Sequence, residues 1–111
     1  MDRAIAPNEV AVVEWLLHHA AVGDVSAYRD RPIERLRIVK GCDCGCASLD
    51  FQANAWGGSQ ILADASAVYS DGNRAGLILW GREGEILLLE VHDWHPGASH
   101  RFPEISNLRA P

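Results

Sequence analysis

The chain has 111 residues, 48% of them hydrophobic and 23% charged, with 15 acidic side chains against 10 basic ones. This is the balance of an ordinary globular domain, here a single one over 1–111. The formal charge of −5 and the want of a basic stripe exclude phosphate-backbone recognition, so no nucleic-acid partner is expected. No apolar run of about 18 residues exists, so no membrane partner is expected either.

The first predicted element is a helix over 7–22. Pro7 suits its first position, Glu9 lies in the first turn where the macrodipole favours an acid, and Gly23 follows its end. Val10, Val13, Leu16, Leu17 and Ala20 form one apolar stripe, with Glu14 and His18 on the polar side. Trp15 projects off that stripe and is either covered by another segment or forms a partner contact, which makes it the candidate interface residue. Pro7, Asn8, Glu9 and Glu14 also break what would be the apolar region of a signal peptide, so a cytoplasmic setting with reduced thiols is expected.

A short second helix is predicted over 24–31, capped by Asp24 and stopped before Pro32. From Ile33 the period changes to two, with Leu36 and Ile38 facing one way and Arg35, Arg37 and Val39 the other, as in a half-buried strand. Arg29, Arg31, Arg35, Arg37 and Lys40 are the chain's one basic cluster and read as a solvated strand face. A second strand alternates Leu49, Phe51 and Ala53 with Ser48, Asp50 and Gln52. The two strands join through Gly41 and Gly45 as a hairpin or bulged turn.

That turn, Gly-Cys-Asp-Cys-Gly-Cys-Ala-Ser, holds all three cysteines. If it were extended, Cys42, Cys44 and Cys46 would point to one face, and three thiolates would begin a zinc site, with His92 or His95 as fourth ligand. The spacing is short for a zinc knuckle. A redox role needs a depressed thiol pKa, but Asp43 lies in the motif and Lys40 is the sole nearby cation. The plainer reading is a glycine-supported turn in which cysteine acts as a small hydrophobe, without metal or cofactor.

Residues 54–59 read as loop. Gln60–Ser70 fits either period; the strand reading, with Ile61, Ala63, Ala65, Ala67 and Tyr69 inward, is preferred because Asp71-Gly72-Asn73 turns into another extended run. Leu77–Trp80 and Ile86–Leu89 flank the turn 81–84 and form the strongest strand pair, expected at the centre of the core and covered on both faces, or on one face and partly by a loop or partner on the other. Glu90 and His92 share parity on its second strand and are candidates for acid/base chemistry. Beyond Trp94 the chain is polar and proline-punctuated, a surface tail over about 96–111.

The N-terminal helix, the Gly-Cys-x-Cys-Gly-Cys-x-Ser turn, and the late hairpin with Gly84-x-Ile86-x-x-Leu89-Glu90 together resemble a family of small uncharacterised bacterial proteins. Their turn is typically Cys-Gly-Cys-Gly-Cys-Pro, from which Asp43 and Ala47 depart. The resemblance implies a fold and no activity. The expected fold is α+β: an N-terminal helix packed on a four- to five-stranded antiparallel sheet made of hairpins. The expected function is a non-enzymatic binding or accessory module, such as an immunity-type protein that docks on another protein. The alternatives are a metal-binding module at Cys42, Cys44 and Cys46, or a small enzyme using Glu90 and His92.

Overall fold

The computed structural model describes residues 2–41, 47–52, 59–95, 97 and 101–111. Strand β1 (Arg3–Ala4) leads into helix α1 (Pro7–His19), and a one-turn helix α2 (Ser26–Arg29) follows. Strands β2 (Arg37–Ile38), β3 (Lys40–Gly41) and β4 (Leu49–Asp50) are two residues each. Three strands of nine residues come next, β5 (Gln60–Val68), β6 (Arg74–Arg82) and β7 (Glu85–Asp93), and β8 (Leu108–Arg109) closes the chain. The fold is α+β, as expected. The antiparallel main sheet runs β3-β4-β7-β6-β5-β8, a five-strand body with the two-residue β3 added at one edge, while β1 and β2 pair separately.

Helix α1 begins where its first free N–H groups find an acceptor. The Glu9 carboxylate takes the Ala6 N–H at 2.7 Å and both guanidinium nitrogens of Arg3 at 2.9 and 2.7 Å, so one side chain caps the helix and ties β1 to it. Val12, Val13, Leu16 and Leu17 face the sheet and are buried. Val12 rather than Val10 completes the apolar stripe; Val10 is half-buried. The helix stops at His19, short of the predicted 22, because the next residues serve the sheet. Ala21 bridges Ala63, the Val22 N–H bonds Leu62 O at 2.9 Å, and the Asp64 N–H bonds Ala20 O at 3.1 Å.

The core lies between α1 and the inner face of the long strands. Leu77, Leu79 and Leu89 are fully buried there, beside Ala63, Ala65 and Ala67, whose small side chains let the helix approach. The 60–70 stretch is thus strand as far as Val68, as preferred, with one change. A bulge between Ile61 and Ala63 makes Leu62 an extra residue: Leu62 turns into the core and Ile61 is exposed.

A second bulge explains the continuous apolar run of β7. Trp80 pairs with Leu88 and Gly81 with Ile86, so Leu87 is the extra residue and two leucines oppose one tryptophan. Ile86 and Leu89 enter the main core, whereas Leu87 and Leu88 form a separate small cluster with Trp80 packed on it. The turn joining β6 and β7 has positive φ at both central residues, 52° at Glu83 and 82° at Gly84, the type I′ geometry that matches strand twist. Its backbone is held from α2 and beyond: Arg31 Nε donates to Gly84 O at 2.8 Å and the Gly84 N–H donates to the Tyr28 hydroxyl at 3.3 Å.

Three expectations change in detail. The strand predicted from Ile33 begins only at Arg37, since Ile33–Arg35 is a 3₁₀ turn that buries Ile33. The basic cluster is not one strand face. Arg29 bonds Leu17 O at the end of α1, Arg31 holds the hairpin turn, and Arg37 pairs with Asp2 at 2.9 Å. The polar C-terminal segment runs along the surface, but it is fastened there. Tyr69 donates to Arg101 O at 2.7 Å, Asn8 to Pro103 O at 3.2 Å and Asn107 to Val68 O at 3.2 Å, and buried Leu108 pairs with Ala67. Leu108 is buried and Phe102 packs against the core, so this stretch has apolar anchors as well as hydrogen bonds.

Candidate functional site

Helix α1 covers one face of the sheet; the strand registers define what lies on the other. Across β5, β6 and β7, one row is Ile61, Trp80 and Leu88, the next Asp64, Ile78 and Glu90, and the third Ser66, Gly76 and His92. Arg109 on β8 extends the third row and Asp50 on β4 the first. Alternation places all of these on the outer face, since their neighbours Ala63, Ala65, Leu77, Leu79, Leu89 and Val91 are in the core.

Trp80 is the pivot of this face, standing in β6 between the two bulges. Its indole Nε1 donates to Glu90 Oε1 at 3.1 Å, which fixes the carboxylate against the ring. Bulges redirect side chains and collect beside binding and active sites. Here they turn Ile61 outward and place two leucines under Trp80.

At the other end of the face two rings lie over Gly76. A Cβ at that position would meet His92 Cε1 and Nε2 at 2.2 Å and Trp94 Nε1 at 2.9 Å, so glycine is what lets both rings lie down on the sheet. Trp94 is 52% exposed, and its backbone continues the ladder past β7: its N–H bonds Arg74 O at 3.3 Å, while the Arg74 N–H bonds His95 Nδ1 at 3.0 Å. Beside Trp94 a cleft of about 230 Å³ opens, lined by Asp64, Ala65, Ser66, Trp94 and Pro111.

Glu90 and His92, chosen from the sequence for shared parity, do share this face. Glu90 is engaged by Trp80, and among the described residues no hydrogen bond joins His92 to Ser66, Asp64 or Glu90. Among the described residues no nucleophile–base–orienter chain is assembled around them. Trp15, the candidate interface residue, lies on α1 away from this face; it is half-buried against the core and its ring centroid sits 5.3 Å from that of His19.

Cys42, Cys44 and Cys46 lie outside the described residues. Among the described residues no three His, Cys, Asp or Glu side chains converge as a metal site would require, and His95 already accepts a backbone N–H. The ends of the cysteine loop are placed: Gly41 pairs with Leu49, and the Ser48 hydroxyl accepts the Val91 N–H at 2.8 Å while lying 3.2 Å from Val91 O. Ser48 thus replaces a strand partner at the edge of β7. No family model, curated protein or solved structure matches this chain.

Sequence reasoning missed Trp80, Trp94, Asp64 and Gly76. The parity of Glu90 and His92 was readable within one strand, but their neighbours across β6 and β5 depend on register, and two bulges set that register.

Proposed function

We propose that this protein is a non-enzymatic binding module, of the kind exemplified by immunity-type proteins, and that it docks a protein partner on the outer face of its sheet. One observation carries the reading: among the described residues the long strands have almost no free edge, while their outer face, closed at Leu87 and Leu88, keeps Ile61, Asp64 and Trp94 exposed. On β5 the free edge is occupied by residues 20–22 and by β8, and on β7 by β4, the Phe51 N–H and Ser48. Strand addition by a partner has little backbone to use there. The face itself presents exposed Trp94 and Ile61 around half-buried Trp80 and Ile78, with carboxylates interspersed. Tryptophan is the residue type most enriched among anchors of protein interfaces.

The test takes a protein captured by the wild-type chain from its own cells, purifies it, and measures its affinity for three variants. Trp94→Ala and Ile61→Ser should each weaken binding about tenfold, near 1.4 kcal/mol, and Trp15→Ala on the opposite side should change it little. If only Trp15→Ala weakens binding, the helix is the docking surface and the sheet reading falls. Stoichiometric zinc in a native mass spectrum of the purified chain would instead support the alternative at Cys42, Cys44 and Cys46.

A further inference from the structure

The cleft at the edge of the outer face joins a carboxylate to an aromatic wall. Asp64 points outward because Ala63 and Ala65 on either side of it are core residues, and among the described residues its side chain has no hydrogen bond or ion pair. Trp94 lines the same cleft, together with Ala65, Ser66 and Pro111. The Trp94 backbone is held by its bond to Arg74 O, and the indole lies in the space that Gly76 leaves beneath it.

Among the described residues the chain's cations leave this carboxylate alone. Arg109 is nearest in register, opposite Ser66, but its guanidinium turns back to Ser106 O at 2.9 Å and Leu108 O at 2.8 Å. Arg74 stands one row beyond, opposite Val68. An unpaired carboxylate beside an exposed indole is the chemistry that holds an organic cation, the charge on the carboxylate and the π face against the ring. The volume agrees: about 230 Å³ is below the roughly 300–1,000 Å³ of sites for drug-sized ligands and suits a single side chain.

We infer that the cleft between Asp64 and Trp94 receives a cationic side chain, arginine or lysine, presented by the protein that docks on the outer face. This rests on the docking reading and names the chemistry of the partner. A net charge of −5 also attracts a basic partner from a distance.

The experiment is a titration of the full ¹⁵N-labelled chain with N-acetyl-arginine amide, N-acetyl-lysine amide and the neutral N-acetyl-citrulline amide, followed by NMR. The Trp94 indole N–H is assigned by its loss in Trp94→Phe. The expected result is a saturable shift of that resonance and of the Asp64 and Ser66 amides with arginine or lysine amide, and none with citrulline amide. Asp64→Asn should weaken it about 3- to 10-fold. No saturable shift with either cation, an equal shift with citrulline amide, or an unchanged affinity in Asp64→Asn would each overturn the inference. Measured against the purified partner, loss of affinity in Ile61→Ser but not in Asp64→Asn removes the cation site and keeps the docking face. No loss in either removes both.

Discussion

Leu79 and Ile78 are adjacent apolar residues of β6, indistinguishable in a run that reads Leu-Ile-Leu-Trp, yet the sheet sends them to different jobs. Leu79 is fully buried between α1 and its partners Ala63 and Leu89; Ile78 stands half-buried on the outer face between Asp64 and Glu90. Truncating a leucine in a packed core removes its transfer free energy and leaves a cavity, so Leu79→Ala should cost about 2–5 kcal/mol. Ile78→Ala gives up only partial burial and should cost about 1 kcal/mol or less. Urea unfolding monitored by far-ultraviolet circular dichroism checks the pair. Equal losses would mean that the outer face is as closed as the core, and the docking surface would not exist.

Elements of one helix and one hairpin were legible from the sequence because their signals are local. Pro7 and Glu9 mark the start of α1, and the leucine runs around Gly84 mark the β6–β7 hairpin. What spans elements was not legible. The helix end at His19 is set by the need of β5 for an edge partner, and the outward turn of Ile61 by an unsignalled bulge. Neither leaves a trace in the period of its own segment. The same holds for the join between β1 and α1, which depends on the Arg3–Glu9 pair. Burial pushes the Glu9 carboxyl up, but the Arg3 hydrogen bonds, the Ala6 N–H and the Arg3 charge outweigh it, and its pKa lies below the ordinary glutamate value. A carboxyl with its pKa lowered by folding contributes fully above the unfolded value of about 4.3 and loses that contribution as pH falls through the folded value. Glu9→Gln should therefore lower stability near pH 7 by about 1–2 kcal/mol. It should also flatten the fall in melting temperature below about pH 4.3, a difference that a series of thermal melts would read. Parallel acid limbs in wild type and variant would mean that the pair does not staple the N-terminus.

At the scale of the whole molecule, the question is why the exposed part of the outer face, around Ile61, Asp64 and Trp94, should wait for a different protein and not pair with a second copy. A two-fold contact would lay the face on itself, so each residue would meet its own equivalent or a near neighbour. Asp50, Asp64 and Glu90 run through the rows of this face, and such a contact would oppose the carboxylates of two chains that each carry a net −5. Like charges brought together at a contact cost several kcal/mol and act as a block on the wrong partner. The other common route to self-association, edge-to-edge pairing, is closed along β5 by residues 20–22 and β8. The chain is therefore expected to sediment as a monomer at low ionic strength. About 1 M salt, where screening shrinks to roughly 3 Å, largely removes that repulsion and so tests whether anything else would join two copies. A dimer that forms on adding salt and disappears in Trp94→Asp would show a self-complementary face held apart only by charge. That outcome would replace the basic partner with a second copy of this chain.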